Sequence, residues 1–218
     1  MTQRQFNKAV AAFDKGERMR AQLYYNALNL IRAGFRVEAH LLILATWNFA
    51  RFRYATRDFD LRGYHRTLDR LDELLHLLDK RDLMDTDLPE HRKRITDAFD
   101  RLARIEGIRY TGAAKILHLL CPRFFVMWDR FISGQYPKYR YLALDIVQSG
   151  FWPCRRFRSS GDGYYDFLEF CQTRFRGFVS PDPRKTLAKC IDEFNFTKIT
   201  YPIGEALKGR PLEITRYA

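Results

Sequence analysis

The sequence predicts an all-α protein of about eight to ten helices, folded as a single compact unit. Apolar residues recur at helical spacing along most of the chain, whereas the alternation typical of strands is weak. Glycine and proline divide the periodic stretches at Gly34, at Leu88-Pro89, at Gly107, and within 159–163 and 180–183. With 218 residues the chain can bury a sizeable core, as one domain or as two lobes that share an interface.

The separate helices follow from apolar spacing in chain order. Four amphipathic stretches have this spacing: Phe6, Val10 and Phe13; Leu68, Leu71, Leu74, Leu75 and Leu78; Ile95, Phe99 and Leu102; Leu187, Ile191 and Phe194. Residues 38–52 are apolar on nearly all sides, which predicts a central helix packed by others. Weak strand signals near Ile199 and Leu212 predict a small C-terminal β ribbon.

The charge balance predicts a polyanionic partner. The chain has 38 lysine and arginine residues against 26 aspartate and glutamate residues, for a net charge of +12. Such a surface attracts nucleic acid. Arginine alternates with aromatic residues in 51–59, 136–141, 154–158 and 173–178. These stretches can bind phosphates and stack on bases, or they can be amphipathic surfaces whose arginine stems cover apolar patches.

The cysteine pattern predicts neither a metal site nor a disulfide framework. The four cysteines are Cys121, Cys154, Cys171 and Cys190. They lie 17 or more residues apart without a C-x-x-C pair, so we expect reduced, mostly buried thiols. The apolar run 39–50 is too short to span a bilayer, and residues 1–13 lack a signal peptide's apolar core. We expect a soluble, intracellular, nucleoid-associated monomer without metal, cofactor or membrane partner.

Residues 107–132, GIRYTGAAKILHLLCPRFFVMWDRFI, combine a glycine turn, a short apolar helix, a proline and an apolar loop. With the amphipathic stretch before them, they predict a helix-hairpin-helix over residues 92–120. The turn amides and the N-terminus of the second helix can hold a DNA backbone phosphate without reading sequence. Thr111 stands where the N-cap of that second helix is expected.

The loop after the second helix places Asp129 among bulky apolar neighbours. From the local pattern, this aspartate can be an N-cap that accepts hydrogen bonds from the amides of Phe131 or Ile132. It can also be a catalytic carboxylate. His118, on the apolar helix before the loop, is expected to be a satisfied core or cleft-edge histidine.

Turn glycine, short helix, proline-containing loop and aspartate together resemble the helix-hairpin-helix DNA glycosylase superfamily. This superfamily includes endonuclease III and the adenine, 8-oxoguanine and alkyladenine glycosylases. The 22-residue spacing from Gly107 to Asp129 matches its pattern. The resemblance implies that Asp129 is the catalytic residue, in a cleft between two helical lobes. The lobes would be residues 36–128 and residues 1–35 with 129–218.

The resemblance also implies a monofunctional enzyme. In bifunctional members a lysine 18 positions before the aspartate attacks the sugar, and here that position is Thr111. Lys115, one turn further along, could replace it only if the alignment contains a shift. The hairpin reads Gly107-Ile108-Arg109 where the family has Gly-hydrophobic-Gly, so a cationic contact can replace an amide contact. The iron-sulfur loop of endonuclease III is absent.

Contacts with DNA and with the extruded base are implied in the same way. The hairpin residues expected to bind DNA are Gly107, Arg109, Thr111, Gly112 and Lys115. Asn48 and Arg51 lie where family members push a polar wedge into the duplex. The aromatic residues available for a base pocket are Trp128, Phe124, Phe125, Tyr136, Trp47 and Trp152. Trp128, adjacent to Asp129, is the first choice, although Trp47 and Trp128 can equally be core residues.

The predicted function is release of a damaged or modified base from duplex or single-stranded DNA by hydrolysis, in repair or in defence against modified phage DNA. An oxocarbenium-like sugar needs a nearby carboxylate, and the base must first leave the stack. One alternative is a non-catalytic helix-hairpin-helix DNA-binding protein. Another is an RNA-binding protein that uses the arginine and aromatic stretches.

Overall fold

A computed structural model describes residues 1–47, 52, 57, 59–134 and 156–208. The regular structure of these residues is helical without a strand, which confirms the predicted all-α fold. No helix in these ranges is long and apolar enough to cross a membrane. The α-helices are α1 (Gln3–Gly16), α2 (Arg18–Arg32), α3 (Arg36–Trp47), α4 (Leu61–Leu75), α5 (Leu88–Ala103), α6 (Arg109–Leu120), α7 (Gly161–Arg174), α8 (Leu187–Asn195) and α9 (Tyr201–Leu207), with a short 3-10 helix at Leu83–Asp85.

Several helices begin at side-chain caps. Thr2 and Gln5 form a capping box at the start of α1. Asp60, Ser160 and Thr186 each accept a hydrogen bond from a backbone N–H in the first turn of α4, α7 and α8. Each cap satisfies a backbone donor that has no partner within its own helix. These helix starts are therefore determined locally.

The predicted strand near Ile199 is wrong, because this part of the chain is helical. Helix α8 continues into a π-helical turn, Phe196–Thr200, and then into α9. Ile199 and Ile203 are buried along this continuous segment. Their β-branched side chains favour a strand locally, but burial against the core outweighs that preference. The second predicted strand, near Leu212, lies outside the described residues.

One large hydrophobic core joins most of the helices. It includes residues of α1, α3 and α4 together with residues of α5 to α8. The Phe6 ring lies 5.6 Å from both the Phe175 and Phe194 rings, and Phe99 of α5 belongs to the same core. A smaller cluster joins α2, α3 and α6 through Tyr24, Ala27, Ala39, Ile43 and Leu119. The core thus draws on both predicted lobes, whose boundaries stay a prediction.

The close crossing of α5 and α7 depends on Gly161. A β-carbon at this position would lie 2.4 Å from the carbonyl oxygen of Thr96. The Gly161 N–H donates to Oδ1 of Asp100 at 2.7 Å, which fixes the start of α7 against α5. The crossing places the ring of Tyr164 5.1 Å from that of Trp128. Helix α7 thus supports the loop that carries Asp129.

The described cysteines are packing residues. Cys121, Cys171 and Cys190 are buried and free, as predicted. Burial raises the pKa of the Cys121 thiol to about 12 and that of Cys190 to about 11. They are therefore protonated at neutral pH and unreactive. Cys154 lies outside the described residues.

Candidate functional site

A partly open cavity of about 160 Å³ lies where the N-terminal helices, the hairpin and the C-terminal helices meet. Its lining residues are Phe13, Arg20, Trp47, Lys115, Trp128, Asp129, Ile132, Asp192, Phe196 and Thr200. An engineered cavity of about 150 Å³ binds benzene, so one six-membered ring fits this volume. We call Lys115, Trp128, Asp129 and Ile132 the hairpin side, and Asp192, Phe196 and Thr200 the C-terminal side.

The cavity brings together four residues that the sequence singled out from separate segments: Trp47, Lys115, Trp128 and Asp129. Its remaining lining residues were not predicted. Asp192, Phe196 and Thr200 stand at i, i+4 and i+8 along the helical segment that begins at Leu187. That spacing was visible in the sequence, but the predicted strand near Ile199 interrupted it.

Three hydrogen bonds hold the Asp129 carboxylate. Its Oδ1 accepts from the backbone N–H of Phe131 at 2.8 Å and of Ile132 at 2.9 Å, so the predicted hydrogen bonds are confirmed, and the described residues 130–134 form a turn. Its Oδ2 accepts from the Thr200 hydroxyl at 2.7 Å. All three donors are uncharged, so the carboxylate is oriented without a direct cationic partner among the described residues.

Lys115 is buried with only 6% of its surface exposed. Its Nζ donates to the carbonyl oxygen of Thr111 at 3.5 Å and makes no ion pair with a carboxylate of the described chain. Burial lowers the pKa of Lys115 to about 8, although the charge of Asp129 acts in the opposite direction. Desolvation explains this, because the cavity replaces water around the ammonium group with apolar atoms. Near neutral pH a fraction of this amine is uncharged.

The aromatic residues next to Asp129 belong mainly to the core. Trp128 is 2% exposed, and its indole N–H donates to the carbonyl oxygen of Tyr110 at 3.1 Å. Trp128 still lines the cavity, whereas Phe124 and Phe125 have no exposed surface and are not among its lining residues. A base could reach those two rings only after the core had repacked. Their predicted role in a base pocket is therefore not supported by this geometry.

The C-terminal side rests on a buried ion-pair cluster. The Lys189 Nζ lies 2.8 Å from Oδ2 of Asp192 and 3.3 Å from Oε1 of Glu193. The rings of Phe13, Tyr24 and Trp47 surround the same ammonium group at 4.8 to 5.0 Å from their centroids. Burial acts to lower the pKa of Lys189, but the two carboxylates outweigh it and raise that pKa. This lysine is therefore a permanent cation behind Asp192.

His118 is a satisfied core histidine, as predicted. Its Nδ1 lies 2.6 Å from the carbonyl oxygen of Phe125, and its Nε2 lies 2.9 Å from the Tyr24 hydroxyl. Because a carbonyl oxygen can only accept, Nδ1 donates to Phe125. Burial lowers the pKa of His118 to about 4, so the ring is neutral at pH 7 and its Nε2 accepts from the Tyr24 hydroxyl. The histidine joins α2 to the loop before Asp129.

The hairpin turn forms around two residues with positive φ. Gly107 has φ of 87° and Arg109 has φ of 53°, in the left-handed region that favours glycine. Helix α6 begins at Arg109, and its N-cap is Ile108 without a side-chain bond, so the predicted cap at Thr111 is wrong. The N-cap therefore lies three residues upstream of the predicted position. Arg109 is exposed and Gly112 is buried.

Several predicted contact residues fall outside the described chain: Asn48, Arg51, Tyr136 and Trp152. Among the arginine and aromatic stretches, 173–178 is described over its whole length. Phe175 is buried in the core and Phe178 packs against it, whereas Arg176 is exposed. This stretch fits the amphipathic alternative, because its rings are not free to stack on bases.

The chain matches no protein-family model, no curated protein and no solved structure. The resemblance to helix-hairpin-helix glycosylases therefore remains a hypothesis that rests on the residues themselves.

Proposed function

We propose that this protein is a monofunctional DNA N-glycosylase that hydrolyses the bond between a damaged or modified base and its sugar. The observation that carries the proposal is the position of Asp129. Its carboxylate lies in a cavity large enough for one aromatic ring, beside Trp47 and Trp128. It also follows a hairpin turn in which Gly107 and Arg109 have positive φ, at the N-terminus of helix α6, where a phosphate can bind.

The chemistry needs a fixed negative charge near C1′ of the sugar. As the N-glycosidic bond breaks, the sugar gains oxocarbenium character, and a preorganised carboxylate stabilises that charge strongly. The amides of Phe131 and Ile132 and the Thr200 hydroxyl hold Asp129 in one orientation. No reorganisation of this carboxylate is therefore required during the reaction.

Water completes the proposed reaction. The bonding electrons of the N-glycosidic bond leave with the base, and the oxygen of one water forms a bond to C1′. Asp129 orients this water and accepts its proton, which then passes through solvent to the departed base. The products are the free base and an abasic site, so the strand remains uncut.

Positive charge around the hairpin supports binding to DNA. Arg109 is exposed at the turn, at the position where the family pattern has its second glycine, and its backbone has the positive φ that glycine adopts readily. Its side chain adds a cation for the phosphate backbone. Arg20, at the cavity, is 44% exposed and pairs with Glu17 at 3.4 Å, a surface contact weak enough to exchange for a phosphate.

Hydrolysis without strand cleavage is proposed because Thr111 occupies the position of the family's lysine. Lys115 nevertheless lines the cavity, and its lowered pKa leaves part of the amine neutral. Borohydride reduction tests the point, because it traps an imine between lysine and an abasic sugar. We expect no trapped complex. A complex that is lost in Lys115→Arg would overturn the monofunctional assignment.

The first experiment measures base release from duplex and single-stranded DNA that carry uracil, hypoxanthine, 8-oxoguanine, alkylated purines or bulky modified cytosines. We expect abasic sites, revealed as breaks only after alkali, with at least one substrate and with wild-type protein. Asp129→Asn should release no base above background. Breaks that form equally well with the variant would contradict the proposal.

A non-catalytic helix-hairpin-helix DNA-binding protein is the second candidate. One observation favours it: Asp129 already has a structural role as the cap for Phe131 and Ile132. This candidate predicts salt-sensitive DNA binding without abasic product from any substrate. An abasic product that depends on Asp129 would exclude it. In either case we propose an intracellular monomer that acts on the cell's own DNA or on modified foreign DNA.

A further inference from the structure

The cavity contains a second carboxylate, Asp192, for which the proposed chemistry has no use. Its Oδ2 is bonded to Lys189, but its Oδ1 has no hydrogen-bond partner among the described residues. The side chain keeps 13% of its surface exposed and lines the cavity. Asp192 therefore presents one unpaired acceptor oxygen to whatever occupies this space.

This acceptor is held rigidly. Lys189, which orients it, has no exposed surface and is enclosed by the rings of Phe13, Tyr24 and Trp47. Glu193 pairs with the same ammonium group at 3.3 Å. A carboxylate fixed in this way cannot turn away from the cavity, so an occupant must either offer it a donor or leave it unsatisfied.

Trp47 presents a hydrogen-bond donor to the same cavity. Its indole N–H is buried and has no hydrogen-bond partner in the described chain, although Trp47 lines the same cavity. Buried polar groups without partners are rare and often mark a site that a ligand completes. An N–H beside a ring nitrogen, as on a 4-aminopyrimidine, supplies a donor for Asp192 and an acceptor for Trp47.

We infer that the cavity selects a base of the aminopyrimidine class, as in cytosine and its modified forms, and that Asp192 is its specificity residue. The inference depends on the proposed function only in taking the occupant to be a nucleobase. The volume of about 160 Å³ favours one ring over the two fused rings of a purine. Asp192 accepts a hydrogen bond from the exocyclic amino group, and Asp129 remains the catalytic residue.

The test uses free bases, so that it does not require catalysis. Full-length protein is titrated with 1-methylcytosine and with 1-methyl-2-pyrimidinone, which lacks only the amino group and has no N–H. Binding is followed by NMR through the indole N–H signals of the three tryptophans. One hydrogen bond to a charged acceptor predicts a preference for 1-methylcytosine of roughly ten- to a hundredfold. The two-ring 9-methyladenine should bind more weakly than 1-methylcytosine.

Three variants separate recognition from folding. Asp192→Leu should remove the preference, because 1-methylcytosine loses its acceptor and 1-methyl-2-pyrimidinone no longer leaves a carboxylate oxygen unsatisfied. Asp192→Asn retains an acceptor oxygen and should keep a smaller preference. Glu193→Gln is the matched control, because it disturbs the same lysine but is not among the cavity-lining residues, and it should keep the full preference. Thermal unfolding verifies that each variant is folded.

Equal affinity of wild type for the two pyrimidines, or a preference that survives in Asp192→Leu, would overturn the inference. Absence of binding by either pyrimidine would overturn it as well, as would tighter binding of 9-methyladenine. Failure of the proposed function is separate: 1-methylcytosine would then bind with the expected preference while no base is released from any DNA. If bases are released from DNA but the free pyrimidines bind without this preference, the inference about Asp192 fails and the proposed function stands.

Discussion

The two sides of the cavity differ in how their charged side chains are paired. On the hairpin side, Asp129 is held by uncharged donors, and Lys115 has no carboxylate partner within the described chain. On the C-terminal side, Asp192 is paired with Lys189, which also binds Glu193. Burial lowers the pKa of Lys115, whereas two carboxylates outweigh burial and raise the pKa of Lys189.

This difference indicates which charges stabilise the fold and which are available for chemistry. A buried ion pair positions its neighbours, and removing one partner is costly. An ionisable group kept without a counter-charge weakens the fold, and such groups concentrate at functional sites. We therefore propose that the C-terminal side is the rigid support and that the hairpin side supplies the reactive groups.

The largest expected effect is the loss of Lys189. Lys189→Met removes the cationic partner of Asp192, while Glu193 keeps its second partner, Lys185, at 2.8 Å, so we expect a loss of about 3–5 kcal/mol in the free energy of unfolding. Urea unfolding measures it. Arg184→Met is the control, because Arg184 pairs with Asp182 at the surface and its loss should cost less than about 1 kcal/mol. Similar costs for both variants would remove the distinction between the two sides.

Removing Lys115 should have the opposite effect and raise the free energy of unfolding. Its pKa falls from an ordinary value of 10.5 to about 8, so Lys115→Met should raise the free energy of unfolding at pH 7 by at most roughly 3 kcal/mol. Between pH 8 and 10.5 the unfolded chain binds more protons at this site than the folded chain, so wild-type stability rises with pH there. The advantage of the variant should thus shrink by about pH 10. A variant less stable than wild type at both pH values would contradict this account.

A smaller effect is expected where the two sides touch. Thr200→Val removes the hydroxyl that donates to Oδ2 of Asp129 at 2.7 Å, so we expect base release to slow by roughly tenfold. Thr197→Val is the matched control, because Thr197 lies in the same π-helical turn but donates to the carbonyl oxygen of Ala9. Both variants should lose similar stability. Equal rates for the two would show that the hydroxyl of Thr200 does not position Asp129.

The smallest effect concerns the strained turn on the hairpin side. Arg109→Gly relieves the positive φ and should stabilise the fold by about 1 kcal/mol. Arg109→Ala removes the same charge but keeps the strain. If the arginine contacts phosphate, both variants should bind DNA more weakly, with a salt slope reduced by about one. DNA binding that is unchanged in both would place the phosphate contact elsewhere.

The hairpin side was predictable from the sequence because its determinants are local. The cap that Asp129 provides joins it to Phe131 and Ile132, two and three residues away. The predicted cap at Thr111 was wrong because Arg109, a non-glycine residue, adopts a left-handed conformation that the sequence does not indicate. The apolar spacing within helices and the glycine and proline breaks between them are also local features, and they predicted the all-α fold.

The C-terminal side was not predictable in the same way. Thr200 reaches Asp129 across 71 positions, and a single sequence contains no signal for which helix packs there. The β-branched residues around Ile199 favoured a strand, which concealed the helical spacing that connects Asp192 to Thr200. Packing against the core, rather than local preference, determines the conformation of this segment.

The central claim is that Asp129 is a catalytic carboxylate and not only a cap. Asparagine caps helices about as well as aspartate does, so Asp129→Asn should leave the fold and the DNA affinity unchanged. Single-turnover release of the best base from DNA, measured beside DNA binding by wild type and variant, tests the claim directly. We predict a fall in rate of at least about a hundredfold at equal affinity. Equal rates would show that Asp129 has a structural role only.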